Sequence, residues 1–137
     1  MSSDINFGAI SEELNNKADI DLANLPDNYD FVIESQMPTA DNNYTWYRKY
    51  KSGWVEQGCI GPVNVTVASG GSVNSFNLPV KMASKKYAVS AILNGTYGGT
   101  VIRIGTETSE TVLKLALASV SGVTSSALQW QVSGMAA

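Results

Sequence analysis

The chain has 137 residues, a net charge of −3, one cysteine and no histidine. That length suits a single domain able to bury roughly 68% of its unfolded surface. One cysteine excludes an intrachain disulfide, and the lack of histidine removes the usual general base near neutral pH and the commonest metal ligand, so no metal or other cofactor is implied.

The charge is unevenly spread. Residues 1–34 carry eight acids against Lys17, a balance of −7, while the remainder carries +4, so the two parts should be different kinds of structure. No run of about 18 apolar residues is present to span a bilayer, and the acidic start lacks a basic stretch ahead of an apolar one. The expectation is a soluble protein without membrane insertion or a recognisable export signal. The triplets beginning at Asn43, Asn64 and Asn94 match a glycosylation acceptor, but without a secretory signal they carry no weight.

Over residues 7–25 the apolar side chains Phe7, Ile10, Leu14, Ala18, Leu22 and Leu25 recur at spacings of three and four, one stripe of a helix. Ser11 can cap its start, Glu12 and Glu13 suit the positive end of the dipole, and Pro26 ends it. So narrow a stripe is marginal alone, and copies of itself would bury it most economically. Residues 1–29 are therefore predicted to be a helical or coiled, self-associating entry segment leading into a second unit, residues 30–137.

That second unit is rich in Thr, Val, Ile, Tyr, Ser, Asn and Gly, in short alternating runs broken by turn residues, which predicts an all-β sandwich. Nine strands are expected, over residues 30–36, 44–50, 54–60, 63–68, 75–80, 87–93, 100–105, 111–118 and 127–133. The connection "KSG" puts Gly53 where a three-residue hairpin needs a positive φ. None of the other glycine turns has the strand, loop, lysine and helix order of a phosphate cradle. Cys59 reads as a small buried apolar side chain.

The stretch "YTWYRKYKSGWVEQG" collects Tyr44, Trp46, Tyr47, Tyr50 and Trp54 among Arg48, Lys49 and Lys51. On a strand from residue 44, Tyr44, Trp46, Arg48 and Tyr50 share one face, and Thr45, Tyr47 and Lys49 the other. Aromatics on both faces suggest a strand between a sandwich core and a subunit interface. Trp46, Tyr47, Arg48, Trp54 and Glu56 are accordingly expected in the core or that interface, Arg48 satisfied by backbone carbonyls or by a carboxylate for which Glu56 is the obvious candidate, and Trp46→Ala should cost roughly 3 to 5 kcal/mol. Nucleic acid is not an expected partner: the pI is near 4.8, and the remaining bases form no run that continues the patch. Asp41, Glu56, Glu107 and Glu110 could supply a catalytic carboxylate pair, but no spacing brings two together, so an enzyme is not expected.

The segment "TADNNYTWYRKYKSGWVEQG" resembles the signature of the C-terminal, receptor-binding tip domain of phage tail fibres and related prophage fibre proteins. "NNKADIDLANL" before it is similar to the linker leading into such tips, so the likeness spans residues 15–58, and "FNLPVKMASKKYAVSAI" is similar in style to the strands that follow. The family runs "EQGG" where this chain has Cys59, so a backbone conformation needing glycine there is in question. The resemblance implies a β-sandwich assembled as a homotrimer about a fibre axis, located at the tip of a virion tail fibre, extracellular after phage release, and binding a bacterial surface glycan or other host receptor.

A purely structural virion or fibre component is the alternative, and a depolymerising spike a more distant one. Loops vary while strands hold a scaffold, so receptor contact is expected on a loop. "NGTYGG" carries an aromatic flanked by small polar residues, which makes Asn94, Thr96 and Tyr97 the candidate receptor-binding residues.

Overall fold

The computed structural model describes residues 29–94, 100–119 and 123–137. The helical segment expected over residues 7–25 lies outside them, as do Thr96 and Tyr97.

Eight strands follow in order: β1 (Val32–Gln36), β2 (Thr45–Tyr50), β3 (Trp54–Val67), β4 (Ser72–Asn77), β5 (Ala88–Asn94), β6 (Val101–Ile104), β7 (Val112–Ala118) and β8 (Val123–Met135). A short 3-10 turn, Ala40–Asn42, precedes β2, and no α-helix occurs among the described residues. The strands form two antiparallel sheets, one ordered β1-β2-β3-β8-β5 and one ordered β4-β7-β6. The nearly all-β architecture read from the alternating pattern is what the described residues adopt.

The two sheets close on one core. β3 and β8 contribute Val55, Cys59, Val65, Val67, Leu128, Trp130 and Val132, and the smaller sheet contributes Phe76, Leu113, Leu115 and Leu117. The rings of Phe76 and Trp130 meet across the gap with centroids 5.8 Å apart, tilted by 40°. Both aromatics are at least nine-tenths buried, so this contact joins the sheets at full desolvation.

Two expected strands, 54–60 and 63–68, are one. β3 runs through Gly61 and Pro62, and its pairing with β8 shifts register between Cys59 and Val63 before resuming at Val63↔Leu128. A bulge absorbs the proline that lacks a ladder donor, so the turn chemistry of "GP" bends the strand without ending it. β4 lies at Ser72–Asn77 where 75–80 was expected, because Leu78 to Val80 leave the sheet to cross its end.

That crossing segment closes one end of the sandwich. Leu78 N–H donates to Thr111 O (2.9 Å), Met82 N–H to Glu110 O (2.9 Å) and Ala83 N–H to Met135 O (2.8 Å). The side chain of Gln57, fully buried, holds its middle: Val80 N–H donates to Oε1 at 2.8 Å, and Nε2 donates to Val80 O at 2.8 Å. A carboxamide presents a donor and an acceptor as a peptide does, so Gln57 acts as one more rung of a ladder where no strand fits. Asn74 repeats the device on the free side of β3, with Oδ1 accepting from Thr66 N–H (3.1 Å) and Nδ2 donating to Thr66 O (3.0 Å).

The β2–β3 hairpin turns as expected. Gly53 has φ +91°, and its N–H donates to Tyr50 O at 2.9 Å.

Candidate functional site

Because β2 pairs β3 in the register Thr45↔Cys59, Tyr47↔Gln57 and Lys49↔Val55, the pleat sends Thr45, Tyr47 and Lys49 toward the side that carries the buried Val55, Gln57 and Cys59. Trp46, Arg48 and Tyr50 go to the outer side of the sheet with Trp54 and Glu56. Neither Trp46 nor Trp54 is therefore in the core of the chain. Trp54 is 39% exposed and Trp46 is half-buried. The core tryptophan is Trp130, which the sequence reading passed over although its strand had been placed.

The side-chain bond expected between Arg48 and Glu56 does not form. The residues stand directly opposite in register, but Arg48 is exposed, and Glu56 Oε2 accepts instead from the Tyr50 hydroxyl at 3.3 Å. An exposed guanidinium keeps its hydration and gains little from a surface carboxylate. On the inner side, Tyr47 donates its hydroxyl to Glu34 Oε1 at 2.6 Å, and this bond to a carboxylate raises the phenol above its ordinary value.

Gly58, the glycine of "EQG", is where β3, β8 and Trp46 converge. A Cβ there would run into the backbone carbonyl of Trp130 and stand 3.2 Å from the indole nitrogen of Trp46. Cys59 after it needs no special backbone: its φ is not positive, its side chain points inward and is buried, and its Sγ donates to Asn43 O at 3.3 Å. Burial pushes the thiol up. The departure from "EQGG" is thus compatible with the strand.

Tyr44 breaks the expected alternation. Asn43 and Tyr44 both lie in the left-handed region, at φ +57° and +59°, immediately before β2. For a bulky side chain this is a sparsely populated conformation that surrounding bonds must hold. They do: Tyr44 N–H donates to Thr39 O at 2.7 Å, and Ile60 N–H donates to Tyr44 O at 3.2 Å. Asn42 and Thr45 tie the same loop down, Asn42 Nδ2 donating to Met37 O at 2.8 Å and Thr45 Oγ1 to Asn42 O at 2.8 Å. The Tyr44 ring then lies against Gly61, where an added Cβ would stand 2.5 Å from it.

This turn carries Tyr44 off the outer face and onto one wall of a cleft of about 450 Å³ between the sheets. Phe76 and Trp130 form part of its floor, while Asn43, Ser75 and Asn77 contribute polar lining. No lining residue is charged. Sequence reasoning missed this cleft, and only the adjacent "NNY" hinted at it, since asparagine tolerates a positive φ.

Of the residues chosen for the receptor loop, Asn94 is exposed at the end of β5, and Thr96 and Tyr97 fall outside the described residues. The carboxylates weighed for catalysis stay dispersed: Glu107 pairs with Lys114 at 2.5 Å, which lowers its carboxyl, and Glu56 meets Tyr50. Among the described residues no group of three histidine, cysteine or acidic side chains could hold a metal ion, and no helix is long and apolar enough to cross a membrane. Neither protein-family models nor curated proteins give a match to this chain.

Proposed function

We propose that the chain is a non-enzymatic, host-surface-binding domain at the tip of a phage or prophage tail fibre, acting as a homotrimer. The observation that carries this reading is the outer face of the five-stranded sheet. Around the half-buried Trp46 it leaves Val32, Trp54, Ile60, Ile92 and Met135 exposed, with Arg48 and Glu56 as charged neighbours. A sheet face turned only to water is ordinarily polar, and apolar faces of this kind with aromatic, methionine and arginine residues suit burial between subunits. Three copies about one axis would cover it and direct three cleft-bearing sandwiches the same way. The resemblance of residues 15–58 to fibre tips supports the same assignment.

The test has two parts. Light scattering after size exclusion should give three times the 14.6 kDa chain mass, and a stable monomer at micromolar concentration would overturn the trimer. Fluorescently labelled protein incubated with a panel of bacterial strains should decorate a subset of them. A trimer that decorates none would favour a purely structural fibre component.

A further inference from the structure

We infer that the cleft beside Tyr44 is a subsite for a neutral sugar ring of a surface glycan, an inference that rests on the host-binding reading. Three features of the cleft carry it.

The first is the strained presentation of an aromatic. Asn43 and Tyr44 are consecutive non-glycine residues at positive φ, held by backbone bonds from both sides, and Gly61 is bare where the ring rests. Tyr44 is nonetheless 43% exposed, so the arrangement does not serve to bury it. Strain of this kind persists where a side chain must be aimed. A rigid, half-exposed aromatic plane facing a cleft matches the apolar face of a pyranose.

The second is the free edge of β4. That strand ends its sheet, and Leu78 N–H and its alternate neighbour Phe76 are directed at β7, so the N–H and C=O of Ser75 and Asn77 point away from β7, toward the cleft. These groups offer donors and acceptors that ring hydroxyls can satisfy. The side chains of Asn43 and Asn77 make no hydrogen bond among the described residues and add two amides.

The third is charge and length. The lining carries no Asp, Glu, Lys or Arg, which suits a neutral polyhydroxyl ligand and disfavours a phosphorylated or acidic one. An added peptide strand is the rival occupant of a sheet edge. Here Asn74 already occupies the edge on the Thr66 side, so three residues remain, roughly 10 Å of strand. That is too short for a stable added strand and about the length of a disaccharide.

The experiment is saturation-transfer NMR on the full chain with glucose, galactose, mannose and N-acetylglucosamine at millimolar concentration. At least one sugar should give signal from its ring protons. Tyr44→Gly tolerates the positive φ and removes the aromatic side chain, so it should fold and bind roughly tenfold more weakly or worse, whereas Tyr44→Phe should bind as the parent does. No signal with any of the four sugars, or equal signal from Tyr44→Gly, would overturn the subsite. Cell decoration separates this outcome from the wider reading: strains decorated equally by the parent and Tyr44→Gly leave host binding standing and remove the cleft from it.

Discussion

The two faces of the five-stranded sheet are built from alternate residues of the same strands, yet they differ in kind. The inner face carries Val55, Cys59, Leu128, Trp130 and Val132, closed over by the smaller sheet, and the polar Gln57 buried among them is bonded on both sides of its amide. The outer face carries Trp46, Trp54, Ile60, Ile92 and Met135, interspersed with Arg48, Glu56 and Ser90. Aromatic content does not tell these faces apart. What separates them is whether a second layer removes the side chains from water, and whether each polar group taken with them has a partner.

The largest effect should come from Trp130→Ala, which deletes the aromatic that joins the two sheets. Denaturant unfolding should show a loss of about 3 to 5 kcal/mol. Equal losses for Trp130→Ala and Trp54→Ala within a single chain would break the distinction between the faces.

Gln57→Leu comes next. Leucine fills much of the volume but leaves the part-buried Val80 N–H and C=O without partners, at up to about 1 to 3 kcal/mol for each group. Thermal melts should show a clear drop, and an unchanged midpoint would mean that the crossing segment does not need its amide rung.

Gly58→Ala strikes the outer face and the β8 backbone at once, since the new methyl meets the carbonyl of Trp130 and the indole of Trp46. Overpacking of this kind costs about 1 to 3 kcal/mol. Trp46 fluorescence should shift together with stability.

Trp54→Ala should cost under about 1 kcal/mol within one chain, because the side chain is 39% exposed. In the trimer we propose, its effect falls on assembly, and light scattering should show a weakened oligomer while the unfolding of a single chain is little changed.

The smallest effect is a decline of stability in alkali. Cys59, Tyr87 and Tyr47 all titrate higher in the fold: burial raises Cys59 and Tyr87, and the bond to Glu34 raises Tyr47. The folded state therefore holds these protons more tightly than the unfolded chain does. Their contribution is complete below the ordinary thiol and phenol values of 9.0 and 10.0 and is lost as the pH rises through and beyond them. Cys59→Ala should flatten the first part of that decline, and a pH series of urea midpoints would detect it.

Much of the fold could be read in one dimension. Alternation, glycine placement and β-branched composition located the strands, predicted the positive φ of Gly53 and grouped Trp46 with Arg48 and Tyr50 opposite Thr45, Tyr47 and Lys49. These are local properties, set by the pleat and by the missing Cβ of glycine. The amino-acid sequence also determined that Cys59 would behave as a small buried residue and that no histidine chemistry is available.

Which face of that strand meets the core was beyond alternation, because period two is satisfied by either choice. Pairing with β3 and the arrival of β4 and β7 over Val55, Gln57 and Cys59 made the choice, and it placed Trp130 inside and Trp54 outside. The positive φ of Tyr44 was equally out of reach, since propensity disfavours it and the turn bond to Thr39 makes it tenable only together with the bond from Ile60 of β3 and the bare Gly61 beneath the ring. Local sterics are written residue by residue along the chain, whereas burial and tolerated strain depend on contacts between residues far apart in it, which is why only the tertiary structure could decide the core and the cleft.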